Sequence, residues 1–281
     1  MKGDIEAKGE VGPHTEQLLI ITAEARAWKA DLIFGECSHL AGKNLVLDSL
    51  GDLYEGMHCV VGPDHFSVPA GRPRSLYALW LKEHEFHGCT EEFLDLFKMS
   101  VELEGKDFLV GDESKRLEFA KERAAYRGNY FGDDVTHVPI KDQLTVDGIS
   151  RLNSHMADIN EGCSLTGSYI CDLDHRSGYS RGGWLVPPLI THGLLASLNA
   201  DPAKKDEEVL FLPEEHLIIM GEGIYEDLAG DFPCNFIEYV KEMGRRLKGG
   251  NELIHIAGNA MHMHVLGAWI MYGLASLTTK D

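Results

Sequence analysis

The chain has 281 residues, of which 44% are hydrophobic, and its 45 acidic side chains outnumber the 26 basic ones to give a net charge of −19. This composition is typical of a globular protein with a substantial core, and no apolar run approaches the roughly 20 residues that would span a bilayer. The negative field argues against a protein that binds nucleic acid by broad attraction to phosphates, although a local basic cleft is compatible with it.

The cysteines and histidines predict neither a disulfide framework nor a metal site. Six widely spaced cysteines form no Cys-x-x-Cys pair, and the N-terminus lacks the apolar core of a secretory signal. We therefore expect an intracellular protein with free thiols. The close pair His262 and His264 has no paired cysteines beside it, so no zinc site is predicted.

The first 90 residues alternate between helical and strand patterns. Residues 1–13 are polar and contain glycine, which predicts a disordered lead-in. Apolar residues with helical spacing follow at 14–30 and 45–54, and short apolar runs predict strands at Asp31–Gly35, Met57–Val61 and Ser75–Leu81. This alternation is typical of an α/β sheet.

The middle of the chain, residues 91–210, has a different pattern. Helices are predicted at Glu91–Glu104, Ser114–Arg127 and Leu144–Ala157, and an irregular segment rich in Gly, Ser and Arg follows them, GSYICDLDHRSGYSRGGWLVPPL. Helical patterns return in the last part of the chain, at Glu214–Met220, Asn235–Lys248 and Met261–Leu277.

Three local patterns are candidates for chemistry. Glu36 stands at the end of a strand, Arg72 and Arg74 precede another strand, and Gly258-Asn259 opens the last apolar helix. Each pattern also has an ordinary structural explanation. A strand-end glutamate can be a solvated charge, an Arg-x-Arg can be a surface pair, and Gly-Asn is common in turns and caps.

In their order and spacing these patterns resemble the C-terminal part of the DNA (cytosine-5) methyltransferases. That family has Glu-Asn-Val at a strand end and, further on, Phe-Gly-Val-Pro-Gln-x-Arg-x-Arg before a strand. Here the chain has Glu36-Cys-Ser and then Phe66-Ser-Val-Pro-Ala-Gly-Arg72-Pro-Arg74. A variable target-recognition region follows in the family and is closed by a Leu-Thr-x-x-Glu helix and a Gly-Asn-Ala. The matching segments are Phe211-Leu-Pro-Glu-Glu215 and Gly258-Asn259-Ala260.

The resemblance implies an α/β fold with a partial Rossmann-like methyltransferase sheet and an irregular α+β target-recognition region. It divides the chain into a disordered lead-in (1–13), a partial catalytic domain (14–90), a target-recognition-like region (91–210) and a return to the catalytic domain (211–281). It also implies a DNA partner and a nuclear location if the source is eukaryotic, and the negative net charge predicts that DNA is bound weakly and only in a cleft.

The resemblance assigns roles to five residues. Glu36 would pair with N3 and the exocyclic amine of a flipped cytosine, Arg74 would donate to O2 of the same ring, and Arg72 would steady the ring or meet a phosphate. Gly258 and Asn259 would line the pocket of the cofactor S-adenosylmethionine.

The sequence departs from the family ahead of Glu36. The family has a Phe-x-Gly-x-Gly cofactor loop and a Pro-Cys-Gln nucleophile there, whereas the first cysteine of this chain is Cys37. Asp231-Phe-Pro-Cys234 resembles Pro-Cys-Gln, and a circularly permuted enzyme would carry its nucleophile at such a place; a structural loop cysteine is the simpler interpretation.

These departures predict a fragment, a split subunit or a truncated paralogue of a cytosine-5 methyltransferase that is inactive on its own. They also predict a complementing chain or self-association, because strands of the family's sheet are missing. The alternative is a non-catalytic module, derived from a methyltransferase, that associates with DNA or protein.

Overall fold

The computed structural model describes residues 13–38, 49–161, 168–176, 182–222 and 251–279. Most of the predicted lead-in, the predicted helix at 235–248, and Cys234 lie outside these residues. Contacts divide the chain into two units. The first comprises Met1–Phe66, Pro73–Ser100 and His264–Asp281, and the second comprises Ser67–Arg72 and Val101–Met263.

The first unit contains a three-stranded sheet in the order β1-β3-β2. Helix α1 (Pro13–Trp28) precedes strands β1 (Leu32–Ser38), β2 (Tyr54–Val61) and β3 (Arg74–Leu81). Strand β3 is antiparallel to both neighbours, so β1 and β2 run parallel to each other on either side of it. Six of the eight residues of β3 are buried, which explains why its apolar run is nearly continuous.

The rest of the first unit packs against this sheet. Strand β4 (His84–Phe86) pairs with β8 (Leu277–Thr279), and helices α2 (Thr90–Phe97) and α7 (Met263–Ser276) supply aromatic residues. Trp269 is fully buried, contacts Phe93 edge to face at 4.8 Å between ring centroids, and donates its indole N–H to Tyr77 O at 3.1 Å. This cluster is the main core of the unit.

The second unit combines helices with an antiparallel sheet. The helices among its described residues are α3 (Glu113–Tyr126), α4 (Val146–Asn160), α5 (Pro213–Ile219) and α6 (Asn251–Asn259). Strands β5 (Ser168–Asp172), β6 (Leu195–Asn199) and β7 (Val209–Leu210) form the sheet in the order β5-β6-β7. Side chains cap two of the helices: Asp112 accepts from Ser114 N before α3, and Thr145 accepts from Gly148 N before α4.

The predicted α/β class is confirmed, and so are the three strands predicted before residue 90. Several boundaries were wrong. Tyr54 begins a strand although it was predicted to end a helix, α2 ends at Phe97 and not at Glu104, and part of the segment predicted to be irregular forms β5. No helix among the described residues is long and apolar enough to cross a membrane.

The boundaries of the two units differ from the predicted domain boundaries. The segment that returns to the first unit begins at His264, whereas residues 211–263 belong to the second unit. The functional domain assignment drawn from the resemblance stays a prediction.

Candidate functional site

Glu36 and Arg74 meet on neighbouring strands of the first unit. Arg74 Nε lies 2.8 Å from Glu36 Oε1. In the β1–β3 register Glu36 is opposite Leu76 and Arg74 is opposite Ser38, so the two charged residues are diagonal neighbours on one face of the sheet. Their side chains are 16% and 25% exposed, so the pair is partly shielded from water and still accessible.

The Cys37 thiol, next to Glu36 in the chain, is kept in its neutral form by its surroundings. Burial first, and then the Glu36 carboxylate, raises the pKa of Cys37 above its ordinary value. Burial also raises the pKa of Tyr77, whose ring lies across Gly35, where a larger residue would collide with it. A thiol with a raised pKa is a poor nucleophile, so the described residues of this site offer a carboxylate and a guanidinium but no activated cysteine.

Arg72 serves as an anchor within the second unit. It is 5% exposed, and its guanidinium donates to three main-chain carbonyls: Leu189 O at 2.7 Å, Gly258 O at 2.9 Å and Ala260 O at 3.1 Å. These bonds join the loop before β3 to two distant parts of the chain. The predicted role of Arg72 at the ring or at a phosphate stays a prediction, since the contacts shown are all with main chain.

Gly258 and Asn259 lie at the end of α6, which corrects the prediction that they open a long helix. A Cβ on Gly258 would lie 2.5 Å from the carbonyl carbon of Ile190, so the glycine is required by close main-chain packing. Asn259 is exposed, and its Nδ2 lies 3.1 Å from His255 Nε2. The assignment of the two residues to an S-adenosylmethionine pocket stays a prediction.

Glu215 has a role that the sequence analysis missed. It is completely buried, accepts hydrogen bonds from Leu212 N at 2.7 Å and Gly111 N at 2.8 Å, and binds Arg116 Nη2 at 2.6 Å. It therefore caps the start of α5 and fixes α3 to it through Arg116. The signal was present in the sequence, because an acidic residue three positions after a helix-start residue is a capping pattern.

One group of side chains in the first unit has donor atoms close enough for a metal ion. The donor atoms of Asp31, Glu83 and His84 lie within 4.8 Å of one another, and both acidic residues are exposed. His84 Nε2 lies 3.0 Å from Asp31 Oδ1. This contact accounts for the arrangement as a surface ion pair or hydrogen bond.

Neither a protein-family model nor a curated protein sequence matches the chain. Among solved structures, the chain is similar to the Dnmt2 methyltransferase of S. pombe, with 13% sequence identity and a TM-score of 0.43. The match covers 87% of this chain and 65% of the other, so this chain spans less than two thirds of that protein's length. A likeness at this level assigns neither an activity nor a substrate to the chain.

Proposed function

We propose that the chain is a methyltransferase-like protein of the cytosine-5 class and that Glu36 and Arg74 form its base-recognition site. The observation that supports this is the 2.8 Å contact between Arg74 Nε and Glu36 Oε1. The sequence resemblance assigns both side chains to one cytosine ring, and two groups can grip one ring only if they are neighbours. The pair meets that requirement.

The chemistry of the pair suits the edge of a cytosine. On binding, the carboxyl group of Glu36 takes up a proton, donates it in a hydrogen bond to N3 and accepts from the exocyclic amine, and the guanidinium of Arg74 donates to O2. Without a base the two side chains neutralise each other, and an entering ring exchanges one charge-assisted contact for several hydrogen bonds. Because both side chains are mostly buried, those bonds form where water competes weakly.

These 281 residues do not transfer a methyl group by themselves under this proposal. Methylation at C5 needs a thiolate that adds to the ring, and the Cys37 thiol beside the site has a raised pKa. Cys234 lies outside the described residues. The thiolate and the S-adenosylmethionine site would have to come from a complementing chain, and β1, an edge strand of its sheet, is where such a chain or a second copy would add strands.

DNA is the proposed macromolecular partner, bound weakly and in a cleft. The net charge of −19 opposes a polyanion, so binding should be steeply salt-sensitive. The alternative, a non-catalytic association module, is favoured by the anchoring contacts of Arg72 and the close packing of Gly258, which give structural reasons for two of the motifs.

The base-recognition site can be tested with the uncharged nucleoside cytidine, which the net negative charge does not repel. Cytidine and uridine are titrated into ¹⁵N-labelled protein, and the Arg74 Nε–H resonance is followed. Cytidine should shift this resonance and uridine should not, because uridine presents a protonated N3 and no amine to the carboxyl of Glu36.

Two variants make this test specific. Glu36→Gln should remove the preference for cytidine, whereas Glu55→Gln, which removes the same charge from an exposed position of β2 in the same sheet, should keep it. Equal shifts with uridine, or a preference that survives in Glu36→Gln, would contradict the assignment.

A methyl-transfer assay tests the absence of activity. Incubation of the chain with labelled S-adenosylmethionine and mixed DNA should leave the DNA unlabelled. Label that appears with the native chain and disappears with Cys234→Ala would instead establish a permuted enzyme.

A further inference from the structure

The second unit contains a cavity of about 810 Å³ that none of the predicted site residues lines. One wall is a face of α3, where Phe119, Arg123 and Tyr126 follow one another at helical spacing. The opposite side consists of Asp174 after β5 and residues 192–194 before β6. A cavity of this volume is suited to a small organic molecule.

Arg123 provides a hydrogen-bond donor in this cavity that could bind an anion. Its Nε is buried, and no described residue accepts a hydrogen bond from it. Burial lowers the pKa of Arg123, and the charge of the neighbouring Arg127 lowers it further. The Arg123 side chain is partly buried and Arg127 is exposed, and an anion bound to both would relieve their repulsion and the missing hydrogen bond of Arg123 Nε.

The carboxyl group of Asp174, which lines the cavity, already pairs with another arginine. Asp174 is the carboxyl group that favours the charged form of Arg123, but its Oδ1 lies 3.3 Å from Arg151 Nη1. Burial and the nearby Asp172 also raise the pKa of Asp174, which weakens it as an anion. Glu122, the second carboxyl group that lines the cavity, is exposed to water, so the buried Nε of Arg123 still has no acceptor among the described residues.

Aromatic and apolar groups lie next to these guanidinium groups. Tyr126 is 82% exposed although its ring borders the cavity, and the Arg127 guanidinium carbon lies 5.0 Å from the centre of that ring. The Arg123 guanidinium carbon lies 5.6 Å from the centre of the Phe119 ring, and Leu194 and Ile254 add apolar surface to the cavity. Exposed rings beside arginines form a platform on which a flat heteroaromatic ring stacks.

We propose that this cavity binds a free nucleoside monophosphate, with its phosphate at Arg123 and Arg127 and its base stacked on Tyr126. Asp174 would accept a hydrogen bond from the amine of the base. The net charge of −19 favours a single small anion over a strand, because each further phosphate adds repulsion. None of these residues belongs to the Glu36–Arg74 pair, so the cytidine experiment does not bear on this proposal.

Calorimetric titration of the full chain with adenosine 5′-monophosphate tests the proposal. We expect a Kd on the order of 10 µM, as for a small anion held by charge-assisted bonds and one stacked ring. Adenosine lacks the phosphate and ribose 5-phosphate lacks the base, so each should bind at least about tenfold more weakly. S-adenosylmethionine, which has adenine but no phosphate, should also bind weakly.

Three variants assign the binding to this cavity. Arg123→Met should weaken binding about 30-fold without lowering the thermal midpoint, since it removes a buried charge that has no hydrogen-bond partner for Nε. Tyr126→Ala should weaken it about tenfold. Lys115→Met removes the same charge from an exposed position of α3 outside the cavity lining and should bind like the native chain.

Three outcomes would overturn the proposal. They are affinity unchanged in Arg123→Met, adenosine or S-adenosylmethionine as tight as the monophosphate, and an oligoadenylate that binds more tightly per molecule than the monophosphate. The last outcome would assign the cavity to a nucleic-acid strand.

Discussion

Replacement of Glu215 by glutamine should destabilise the second unit strongly while hardly changing its shape. Glu215 has no exposed surface, and its carboxylate accepts from two main-chain N–H groups and both terminal nitrogens of Arg116. Glutamine offers one oxygen for these four donors and no charge. It also turns an NH₂ group towards some of them, so the Arg116 guanidinium, 14% exposed, loses its counter-ion in a nearly dry place.

The expected loss is about 3–5 kcal/mol in the free energy of unfolding, the range observed when one partner of a buried ion pair is removed. Domains of ordinary stability unfold with about 5–15 kcal/mol, so the variant should lose a third or more of the total. Urea unfolding followed by circular dichroism and extrapolated linearly to water measures this difference.

Glu214→Gln is the matched control. Glu214 is the preceding residue of α5, is partly exposed and also lies in the first turn, so it shares the favourable interaction with the helix dipole but not the buried network. Its replacement should cost less than about 1 kcal/mol. The reasoning would be refuted if Glu215→Gln unfolded within about 1 kcal/mol of this control, because the four donors would then be satisfied without the carboxylate.

Three further predictions concern the stability of glycine, histidine and arginine variants. Gly258→Ala should lower the free energy of unfolding by roughly 1–3 kcal/mol, because the new methyl group collides with main chain. Gly267→Ala, at a position in α7 with open space around it, should raise the free energy of unfolding by up to about 1 kcal/mol. Equal effects of the two substitutions in calorimetry would contradict the close packing at Gly258. Burial lowers the pKa of His216 from 6.5 to about 4, so its neutral form stabilises the fold above pH 6.5. As the pH falls from 6.5 to about 4, the free energy of unfolding should therefore decrease by roughly 3 kcal/mol, which acid unfolding measures. If His216→Leu showed the same dependence of stability on pH as the native chain, His216 would not be its cause. Arg72→Met should lower the free energy of unfolding by roughly 2–4 kcal/mol and Arg74→Met by less than about 1 kcal/mol, and the reverse order in urea unfolding would contradict the anchor.

The sequence predicted the strands that are short apolar runs between glycines and prolines, but it did not predict β5. This strand ends in Asp172, which is buried because it accepts from Asp174 N and Leu194 N. The segment was interpreted as irregular because it is rich in Gly, Ser and Arg, and a buried aspartate does not fit an apolar strand pattern. The partners that make its burial acceptable lie in a loop and at the approach to another strand.

Tertiary contacts also ended helix α2 earlier than its sequence pattern indicated. After Phe97 the helical pattern continues, yet Met99 N donates to His65 O at 2.9 Å and Met99 pairs with Phe66 in an isolated parallel bridge. Pairing with a distant segment therefore replaced the last turns of α2. At the other end of the chain, the helix predicted at Met261–Leu277 is present as α7 (Met263–Ser276), and α6 (Asn251–Asn259) is a separate helix that the sequence analysis did not predict.

The candidate site shows the same division between local and distant information. Glu36 and Arg74 were predicted to act together, and they are neighbours because adjacent strands of one sheet carry them. The partners of Arg72 were beyond prediction, because they are carbonyl groups 117, 186 and 188 residues away. Every residue has such a carbonyl, so no letter in the sequence marks the ones that an arginine will reach.

Two arginines separated by one proline thus have different physical tasks. Arg72 satisfies main-chain carbonyls in the second unit, and Arg74 faces a carboxylate in the first. A planar guanidinium with five donors can perform either task, which is why the Arg-x-Arg pattern alone cannot assign chemistry to both members. The two arginines differ in the hydrogen bonds that each would have to break in order to bind a ligand. Arg72 would have to leave three neutral acceptors unmet in a buried place, whereas Arg74 would exchange one carboxylate contact for a base that the same carboxylate also binds. Under the proposed function, ligand recognition therefore belongs to Arg74, while Arg72 holds main-chain segments of the second unit together.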